Sequence, residues 1–386
     1  MSTTIAVVGA GTMGSGIAQV AATNGHEVVL IDEQLSALEN AQASLEKIFA
    51  RLVEKGRLTQ QDRGAILGRI STSANTEAAG ESALVIEAIV EDLEAKRRLF
   101  RALEQIVADD CTLATNTSSL SITAIASACE TPGRVVGIHF FNPAPLLPLV
   151  EVVPGLRTDR STTARARALV DSWGKTTVVA RDTPGFIVNR VARPFYGEAL
   201  HILEEGIADV PTIDWAMKEV GGFRMGPFEL MDLIGNDVNL AVTKGVYEAL
   251  FFEPRYRPSL TQQRMVEAGL LGRKSGEGYY RYAEGAKNPG ATKDAVRGQE
   301  IADRVIAMLM NEAVDAVFRN VATADDIDLA MTKGVNYPRG LLAWVDEVGA
   351  SWVVDKLRAL RERHGERYRV SPLLLDHAEH GTRFYG

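Results

Sequence analysis

The stretch TIAVVGAGTMG, residues 4–14, decides the fold. Its first half is apolar and rich in β-branched residues, as in a buried strand. Three glycines follow in G-x-G-x-x-G spacing, and a helical pattern begins at once. A strand, tight turn and helix of this kind place backbone N–H groups and the positive end of a helix dipole around a pyrophosphate. The motif therefore predicts a dinucleotide site, formed by Gly9, Ala10, Gly11, Thr12, Met13 and Gly14.

An acidic residue lies where this motif needs one. Asp32 ends the next strand-like run, EVVLID, eighteen residues after Gly14. A carboxylate at this place hydrogen-bonds ribose hydroxyls. No arginine lies nearby to hold a 2′-phosphate, so the sequence predicts NAD rather than NADP. The alternative is a plain glycine-rich turn before a helix, and the complete set of parts favours the dinucleotide site.

Strand-like and helical segments alternate through the first 180 or so residues. Apolar, strand-like runs occur at 4–10, 27–32, 83–89, 112–118, 134–141, 149–155 and 175–180. Helical patterns occur between them at 13–24, 34–55, 93–108, 121–129 and 161–173. This rhythm predicts an α/β fold with a Rossmann-type, doubly wound and mostly parallel sheet. Residues 34–68 predict a helical hairpin inserted after the second strand, a candidate lid or ligand arm.

The rest of the chain is predicted to be helical and duplicated. IDWAM at 213–217 reappears as IDLAM 114 residues later, and the same offset aligns Gly226 with Gly340 and Asp232 with Asp346. A constant offset over about 50 residues indicates two copies of one all-helical domain, each covering the apolar face of the other. The predicted domains are 1–182 (dinucleotide-binding), 183–282 (first helical copy), 283–300 (linker) and 301–386 (second, degenerate copy).

Composition excludes several partner classes. The 386-residue chain has a net charge of −8 and no long basic run, so nucleic acid and anionic membranes are poor partners. No apolar run reaches the roughly 18 residues of a membrane span. Cys111 and Cys129 have neither disulfide-framework nor metal-ligand spacing, so no metal is expected and a reducing cytoplasm fits. The N-terminus lacks the features of a signal peptide.

The stretch HFFNPAPLLPLVE, residues 139–151, is the candidate for chemistry. His139 ends a late strand of the sheet, where ligands bind in open α/β folds. Glu151 begins the next strand-like run, so a short proline-rich excursion can return it beside His139. A carboxylate on one imidazole nitrogen fixes the tautomer and stabilises the imidazolium that forms when the other nitrogen takes a proton. Spacing alone leaves open a catalytic base or a histidine satisfied in the core.

Two further polar residues have competing interpretations. Ser118, in TNTSS at the end of another strand, is placed to donate a hydrogen bond to a substrate oxygen or to cap the following helix. Asn189, in TPGFIVNR, is placed to reach a cleft between domains or merely belongs to a domain junction. For both residues, sequence alone favours the second interpretation.

Eight motifs in order resemble the NAD-dependent L-3-hydroxyacyl-CoA dehydrogenase family, in its 3-hydroxybutyryl-CoA branch. The resemblance covers residues 3–282 without a break, and RVARPFY is most similar to 3-hydroxyadipyl-CoA dehydrogenases. The motifs are GAGTMG, IEAIVEDLEAKRRLF, TNTSSLSIT, GIHFFNPAP, LVEVV, DTPGFIVNR, GFRMGPFELMDLIG and GRKSGEGYY.

The resemblance implies oxidation of a (S)-3-hydroxyacyl-CoA to the 3-oxoacyl-CoA with NAD as hydride acceptor. It implies His139 as the general base, Glu151 as its partner, and Ser118 and Asn189 beside the reacting carbon. Further implied cofactor contacts are Ser118, Asn142, Glu91, Lys96 and Lys274, although Lys274 equally fits an exposed turn. Ser44 and Arg51, seven residues apart on one helical face, fall where the family contacts CoA; a solvated face is the alternative for Arg51.

The chain departs from the family pattern in two places. Many relatives have a lysine after NP-x-P, where this chain reads LLPLVE, so acyl-chain preference stays open. The second helical copy has Asp303 in place of Asn189, which predicts a structural copy that stands in for a dimer partner's domain, in a monomer or homodimer. Two rival functions remain: a dehydrogenase of free 3-hydroxy acids, like L-gulonate 3-dehydrogenase, and a non-catalytic, crystallin-like NAD-binding protein.

Overall fold

The computed structural model describes residues 3–386. They form two units, of which the first ends at Thr183 and the second runs Pro184–Gly386. The first unit is an α/β domain and the second is helical. Among residues 3–386, no helix is long and apolar enough to cross a membrane.

The first unit is built on one eight-stranded sheet in the order β3-β2-β1-β4-β5-β6-β7-β8. Every neighbouring pair is parallel except β6 and β7, which are antiparallel. The predicted α/β class with a mostly parallel, doubly wound sheet is therefore confirmed. The strands are β1 Thr4–Val8, β2 Glu27–Ile31, β3 Ile70–Ser73, β4 Leu84–Glu87, β5 Thr112–Thr115, β6 Val135–Phe140, β7 Leu149–Pro154 and β8 Thr176–Val179.

Six helices accompany the sheet: α1 Thr12–Thr23, α2 Leu35–Glu54, α3 Gln60–Gly68, α4 Leu93–Ile106, α5 Ile122–Ala126 and α6 Arg160–Ser172. Helices α1, α2, α3 and α6 share one core with alternate strand residues such as Val136, Ile138 and Phe140. The intervening residues face the other way. A Cβ on Gly137 would meet Ile122 of α5 at 2.8 Å, so α5 lies against that opposite face.

Edge strand β3 was not predicted, because its sequence ISTS has a single apolar residue. It lies at the edge of the sheet, where it pairs only with β2, and its residues are only partly buried or exposed. The segments α2 and α3 form the helical pair expected at 34–68, and α2 buries Leu38, Ala41, Leu45 and Phe49 along one side.

The second unit contains eleven α-helices: α7 Val188–Val191, α8 Arg193–Glu204, α9 Val210–Trp215, α10 Pro227–Ile234, α11 Asn236–Ala249, α12 Leu260–Glu267, α13 Ala295–Phe318, α14 Ala324–Gly334, α15 Leu341–Val348, α16 Ala350–His364 and α17 Pro372–His380. Helix α13 begins inside the stretch 283–300 that was predicted as a linker, so only its first part is non-helical.

The sequence repeat appears as a repeated set of hydrogen bonds. Asp214 accepts from the backbone N–H groups of Phe228 and Glu229, and Asp328 accepts from those of Leu342 and Ala343. A Cβ at either Gly226 or Gly340 would lie 2.3 Å from the aspartate of its own copy. Both copies therefore use an aspartate to hold the start of the helix that follows a glycine.

The two copies exchange buried ion pairs in a reciprocal pattern. Glu312 accepts from Arg190 at 2.8 Å, from Arg255 at 2.8 Å and from the hydroxyl of Tyr256. Burial alone would raise the pKa of Glu312, but the two guanidinium groups hold it below its usual value.

Glu198, the counterpart of Glu312 in the first copy, has the matching partners. It accepts from Arg304 at 2.9 Å and from the hydroxyl of Tyr368 at 2.6 Å, with Arg367 at 3.9 Å. Each copy thus supplies one carboxylate to the arginine of the other. This is the pattern of an interface related by a two-fold axis.

Replacing Glu312 by Ala is expected to lower the free energy of unfolding of the helical unit by about 3–5 kcal/mol, because two buried arginines then share a single carboxylate, Asp315. Urea unfolding of the full chain measures this. Glu347, paired with Arg339 and 61% exposed, is the matched control, and its replacement by Ala should cost less than about 1 kcal/mol. Equal losses in both variants would contradict the assignment.

Candidate active site

The glycine loop after β1 is shaped by close backbone contacts. Gly9 has φ +106°, and a Cβ there would lie 2.5 Å from the carbonyl oxygen of Ala88. A Cβ on Gly14 would lie 1.8 Å from the carbonyl oxygen of Gly9. Gly11, the N-cap of α1, has nothing within 4 Å of its Cβ position. The loop is therefore closed toward the sheet and open above the helix N-terminus, which fits a bound pyrophosphate.

Asp32 lies directly after β2, beside this loop. Its Oδ2 accepts from the backbone N–H of Ala10 at 2.8 Å, and its Oδ1 accepts from that of Gln34 at 2.9 Å. The acid therefore orients the glycine loop as well as standing at the expected ribose position. These residues fit the NAD predicted from the fingerprint.

A cavity of about 610 Å³ opens beside the loop, with mostly apolar walls. Helix α2 contributes Ser44, Ile48 and Leu52, and the segment after β6 contributes Asn142. Arg51 is exposed on α2 and is not among the residues that line this cavity. The structure thus brings Ser44 and Asn142 to one cavity, and it leaves Arg51 outside.

His139 and Glu151 face each other across the antiparallel pair of β6 and β7. They are direct partners in the register, on the face opposite to Ile138 and Val152. The His139 Nδ1 atom lies 2.7 Å from Glu151 Oε2, with side-chain exposures of 7% and 0%. Strand β6 runs parallel to β1, so the pair lies toward the sheet edge that also carries the glycine loop.

Two residues near His139 were not singled out in the sequence. Asn116 follows β5, and its side-chain oxygen accepts from the backbone N–H of Phe140 at 2.8 Å, which fixes the end of β6. The ring of Phe141 lies 4.5 Å from the His139 ring, centroid to centroid. Asn116 lies within the quoted motif TNTSS, so an amide at a strand end was the available signal.

Glu91 and Lys96 belong to a polar cluster at the ends of β4 and β5. Lys96 is 1% exposed, with its Nζ 2.5 Å from Glu87 and 3.3 Å from Glu91. Burial alone would raise the pKa of Glu91, but Lys96 and the hydroxyls of Thr117 and Ser119 hold it below its usual value. Sequence reasoning missed Glu87, because a glutamate in a run of apolar residues gives no sign of its partner.

Ser118 is not the cap of the following helix, so that interpretation is wrong. The N-cap of α5 is Ser121, whose hydroxyl accepts from the backbone N–H of Ala124. The backbone N–H of Ser118 donates to Glu91 at 3.2 Å, and its side chain is half-buried. Glu91 thereby holds the loop that carries Ser118.

The remaining two site candidates lie in the helical unit. Asn189 is on α7, and its carbonyl accepts from the Nε of Arg193 at 2.8 Å. Lys274 is 45% exposed in a short 3₁₀ turn, Arg273–Ser275, and is 2.6 Å from Asp237. Lys274 therefore has a carboxylate partner within its own unit.

A nucleotide loop, an adjacent acid and a paired histidine at one sheet edge define an NAD-dependent oxidoreductase. Comparison with known families agrees. The family described as "3-hydroxyacyl-CoA dehydrogenase, NAD binding domain" matches residues 4–183. Its "C-terminal domain" counterpart matches twice, at residues 185–282 and 301–383. The chain belongs to the 3-hydroxyacyl-CoA dehydrogenase family and is an NAD-dependent enzyme of that family.

Individual relatives are similar along most or all of the chain. A 3-hydroxyadipyl-CoA dehydrogenase of Escherichia coli is 40% identical over 97% of both chains. The crystal structure of a 3-hydroxybutyryl-CoA dehydrogenase from Escherichia coli has a TM-score of 0.91 and 37% identity, covering 98% of both chains. A (S)-3-hydroxybutyryl-CoA dehydrogenase from Ralstonia eutropha has a TM-score of 0.71 and 39% identity, covering 73% of this chain and all of its own.

Exchanging Asp32 for Ala is expected to raise the Kd for NAD at least tenfold, because a ribose acceptor is lost and the glycine loop loses one hydrogen bond. Isothermal titration with NAD measures it. Glu33→Ala is the control, because Glu33 is the next residue and makes no hydrogen bond to the glycine loop among residues 3–386. An unchanged NAD constant in Asp32→Ala would reject the ribose assignment.

Proposed function

We propose that this enzyme oxidises a (S)-3-hydroxyacyl-CoA to the 3-oxoacyl-CoA with NAD. The observation that supports it best is the contact of 2.7 Å between His139 and Glu151 at the nucleotide edge of the sheet. A buried histidine held by a buried carboxylate suits removal of a hydroxyl proton. Family membership supplies the substrate class.

His139 accepts the proton of the 3-hydroxyl group through Nε2 while Nδ1 stays bonded to Glu151. Glu151 keeps the ring oriented and stabilises the imidazolium that forms. Bound NAD supplies the hydride acceptor. Ser118 and Asn189 donate hydrogen bonds to the oxygen at the reacting carbon.

The remaining residues have binding roles in this proposal. On the cofactor side they are the glycine loop at 9–14, Asp32, Glu91, Lys96, Asn142 and Lys274. On α2, Ser44 contacts CoA from the cavity wall, and Arg51 offers a charge to a CoA phosphate from the exposed face.

The acyl group in this proposal is a short one, from butyryl to adipyl. Of the Escherichia coli relatives that match along almost all of both chains, one is a 3-hydroxyadipyl-CoA dehydrogenase and one is a 3-hydroxybutyryl-CoA dehydrogenase. Leu146 lines the cavity and belongs to the segment LLPLVE, in which the family resemblance leads us to expect a lysine.

The decisive assay follows NADH formation with 3-hydroxybutyryl-CoA, longer 3-hydroxyacyl-CoA esters and free 3-hydroxy acids. Turnover of the esters supports the proposal. Preference for free acids would replace it with a free-acid dehydrogenase, and no NADH with any substrate would replace it with a non-catalytic NAD-binding protein.

His139→Ala is expected to lower kcat by about 10²–10⁴, the usual range for loss of a general base. Circular dichroism and NAD titration establish that the variant is folded. A folded variant that keeps nearly full turnover would rule out the proposed base.

Glu151→Gln is the companion variant. It keeps the size of the side chain at a position that is fully buried, and it removes the charge that stabilises the imidazolium. We expect a lower kcat with a KM for NAD close to that of the unmodified protein.

We further propose that 301–386 acts as a built-in partner for the helical domain at 183–282. The reciprocal pairing of Glu198 and Glu312 with arginines of the opposite copy supports this. The domain limits proposed are 1–182, 183–282 and 301–386, with 283–300 between the copies.

If the second copy replaces a partner subunit, light scattering should report a mass near that of one chain, 41.8 kDa. A mass of twice that value at micromolar concentration would mean that a dimer interface lies elsewhere. Salt titration to 1 M is the control for non-specific association.

A cytoplasmic location accompanies this proposal. Cys111 and Cys129 are both free and buried, as expected in a reducing compartment. Burial raises the pKa of Cys129 to about 12, so this thiol stays protonated and unreactive.

A further inference from the structure

One buried arginine of the helical unit lacks a counter-ion. Four arginines there are buried: Arg190, Arg193, Arg255 and Arg304. Three of them pair with buried carboxylates of the unit. Arg193, 7% exposed, has no carboxylate within 4.0 Å among residues 3–386. A guanidinium stays charged at all relevant pH values, so a buried guanidinium without a counter-ion destabilises the folded state.

The neighbours of Arg193 are all neutral. Its Nε donates to the carbonyl of Asn189 at 2.8 Å, and its Nη1 donates to the hydroxyl of Thr243 at 3.3 Å. The guanidinium lies 4.9 Å from the ring centroid of Tyr196. Within residues 3–386 nothing accepts a hydrogen bond from Nη2. These contacts hold the group in place and leave its charge uncompensated.

A second donor without an acceptor lies in the same region. Tyr337, from the second helical copy, is 6% exposed, and its hydroxyl is buried without a partner among the described residues. Its ring packs 5.9 Å from Phe195, two residues beyond Arg193. Burial raises the pKa of Tyr337, and the Arg193 charge partly opposes this, which reflects their proximity. A buried donor left unpaired costs about 1–3 kcal/mol.

The two helical copies differ at both of these positions. At the offset of 114 residues, Arg193 corresponds to Ala307 and Tyr337 corresponds to Phe223. The first copy therefore has a cation where the second has a methyl group, and the second has a hydroxyl where the first has a phenyl ring. Two departures from the repeat that meet in one region point to an anionic ligand.

The position relative to Asn189 suggests which ligand. Arg193 begins α8, four residues after Asn189 of α7, and its Nε donates to the Asn189 carbonyl at 2.8 Å, so the two residues are neighbours. The proposed function puts the 3-hydroxyl group at Asn189. An anion bound by Arg193 then lies a few carbons further along the acyl chain, as the terminal carboxylate of a short dicarboxylyl ester does.

We propose that Arg193 and the hydroxyl of Tyr337 bind the terminal carboxylate of a 3-hydroxydicarboxylyl-CoA substrate. The inference rests on the proposed function and deepens it. The carboxylate supplies the counter-ion for Arg193 and the acceptor for Tyr337, so substrate binding satisfies both groups. The second helical copy then contributes to substrate recognition through Tyr337.

The test compares two substrates of equal length, 3-hydroxyadipyl-CoA and 3-hydroxyhexanoyl-CoA, which differ only in the terminal carboxylate. The unmodified enzyme should have the higher kcat/KM for the dicarboxylyl ester. Arg193→Met should lower the ratio of the two kcat/KM values by about 10- to 100-fold, and Arg193→Lys should restore part of it. Arg264→Met, at an exposed arginine of the same unit, should leave the ratio within about twofold.

Tyr337→Phe keeps the test valid if Arg193→Met does not fold. We expect a loss of about 3- to 10-fold in the ratio, with thermal stability of the substrate-free protein unchanged or raised, since the hydroxyl has no partner. Tyr279→Phe, which removes another buried hydroxyl without a partner, is the matched control and should not change the ratio.

The outcomes separate the two claims. Absence of NADH with both esters would reject the proposed function itself. Turnover of the hexanoyl ester without preference for the adipyl ester, or an unchanged ratio in folded Arg193→Met, would overturn this inference alone. Chloride bound at Arg193 should compete with the terminal carboxylate and so inhibit turnover of the adipyl ester more than that of the hexanoyl ester. Equal inhibition of both esters would also overturn this inference.

Discussion

The antiparallel pairing of β6 with β7 is the constraint on which the catalytic arrangement depends. It puts His139 opposite Glu151, with both side chains on the same face of the sheet. A slip by one residue would turn Glu151 into the apolar core shared by Val150 and Val152. The fully buried carboxylate would then lose its contact with His139, so the register that folds the sheet is also the one that builds the pair.

The helical unit likewise depends on the pairing of buried charges. Its core contains carboxylates that are tolerable only with partners, and each partner comes from the other copy. Neither copy can bury Glu198 or Glu312 by itself without leaving a charge unpaired. This explains why the pairing survives in a copy whose other residues have diverged, such as Asp303 in place of Asn189.

Much of the fold and of the nucleotide site could be predicted from the sequence, because these features depend on local sequence patterns. The glycine spacing, the acid after β2 and the alternation of strands and helices are short-range features, and the structure has the α/β fold they predict. The constant offset revealed the duplication. What stayed hidden depends on long-range pairing: Lys96 with Glu87, Glu312 with Arg255, and the edge strand β3, whose polar sequence carries little strand signal.

The duplication also works as an internal comparison. Where both copies keep a residue, as with Asp214 and Asp328, the shared hydrogen bonds give a structural reason. Where the copies differ at a buried position, the residue that carries a polar group is a candidate for a role that the other copy does not have. Arg193 against Ala307 and Tyr337 against Phe223 are such differences: among the described residues, Arg193 has no carboxylate partner and the Tyr337 hydroxyl has no hydrogen-bond partner. Hydrogen-bond donors that lack an acceptor and are held in a packed helical core are pre-organised. A ligand that accepts from them therefore binds with a smaller loss of conformational entropy. The same argument explains why such a site discriminates strongly: a substrate without the carboxylate leaves both donors unpaired.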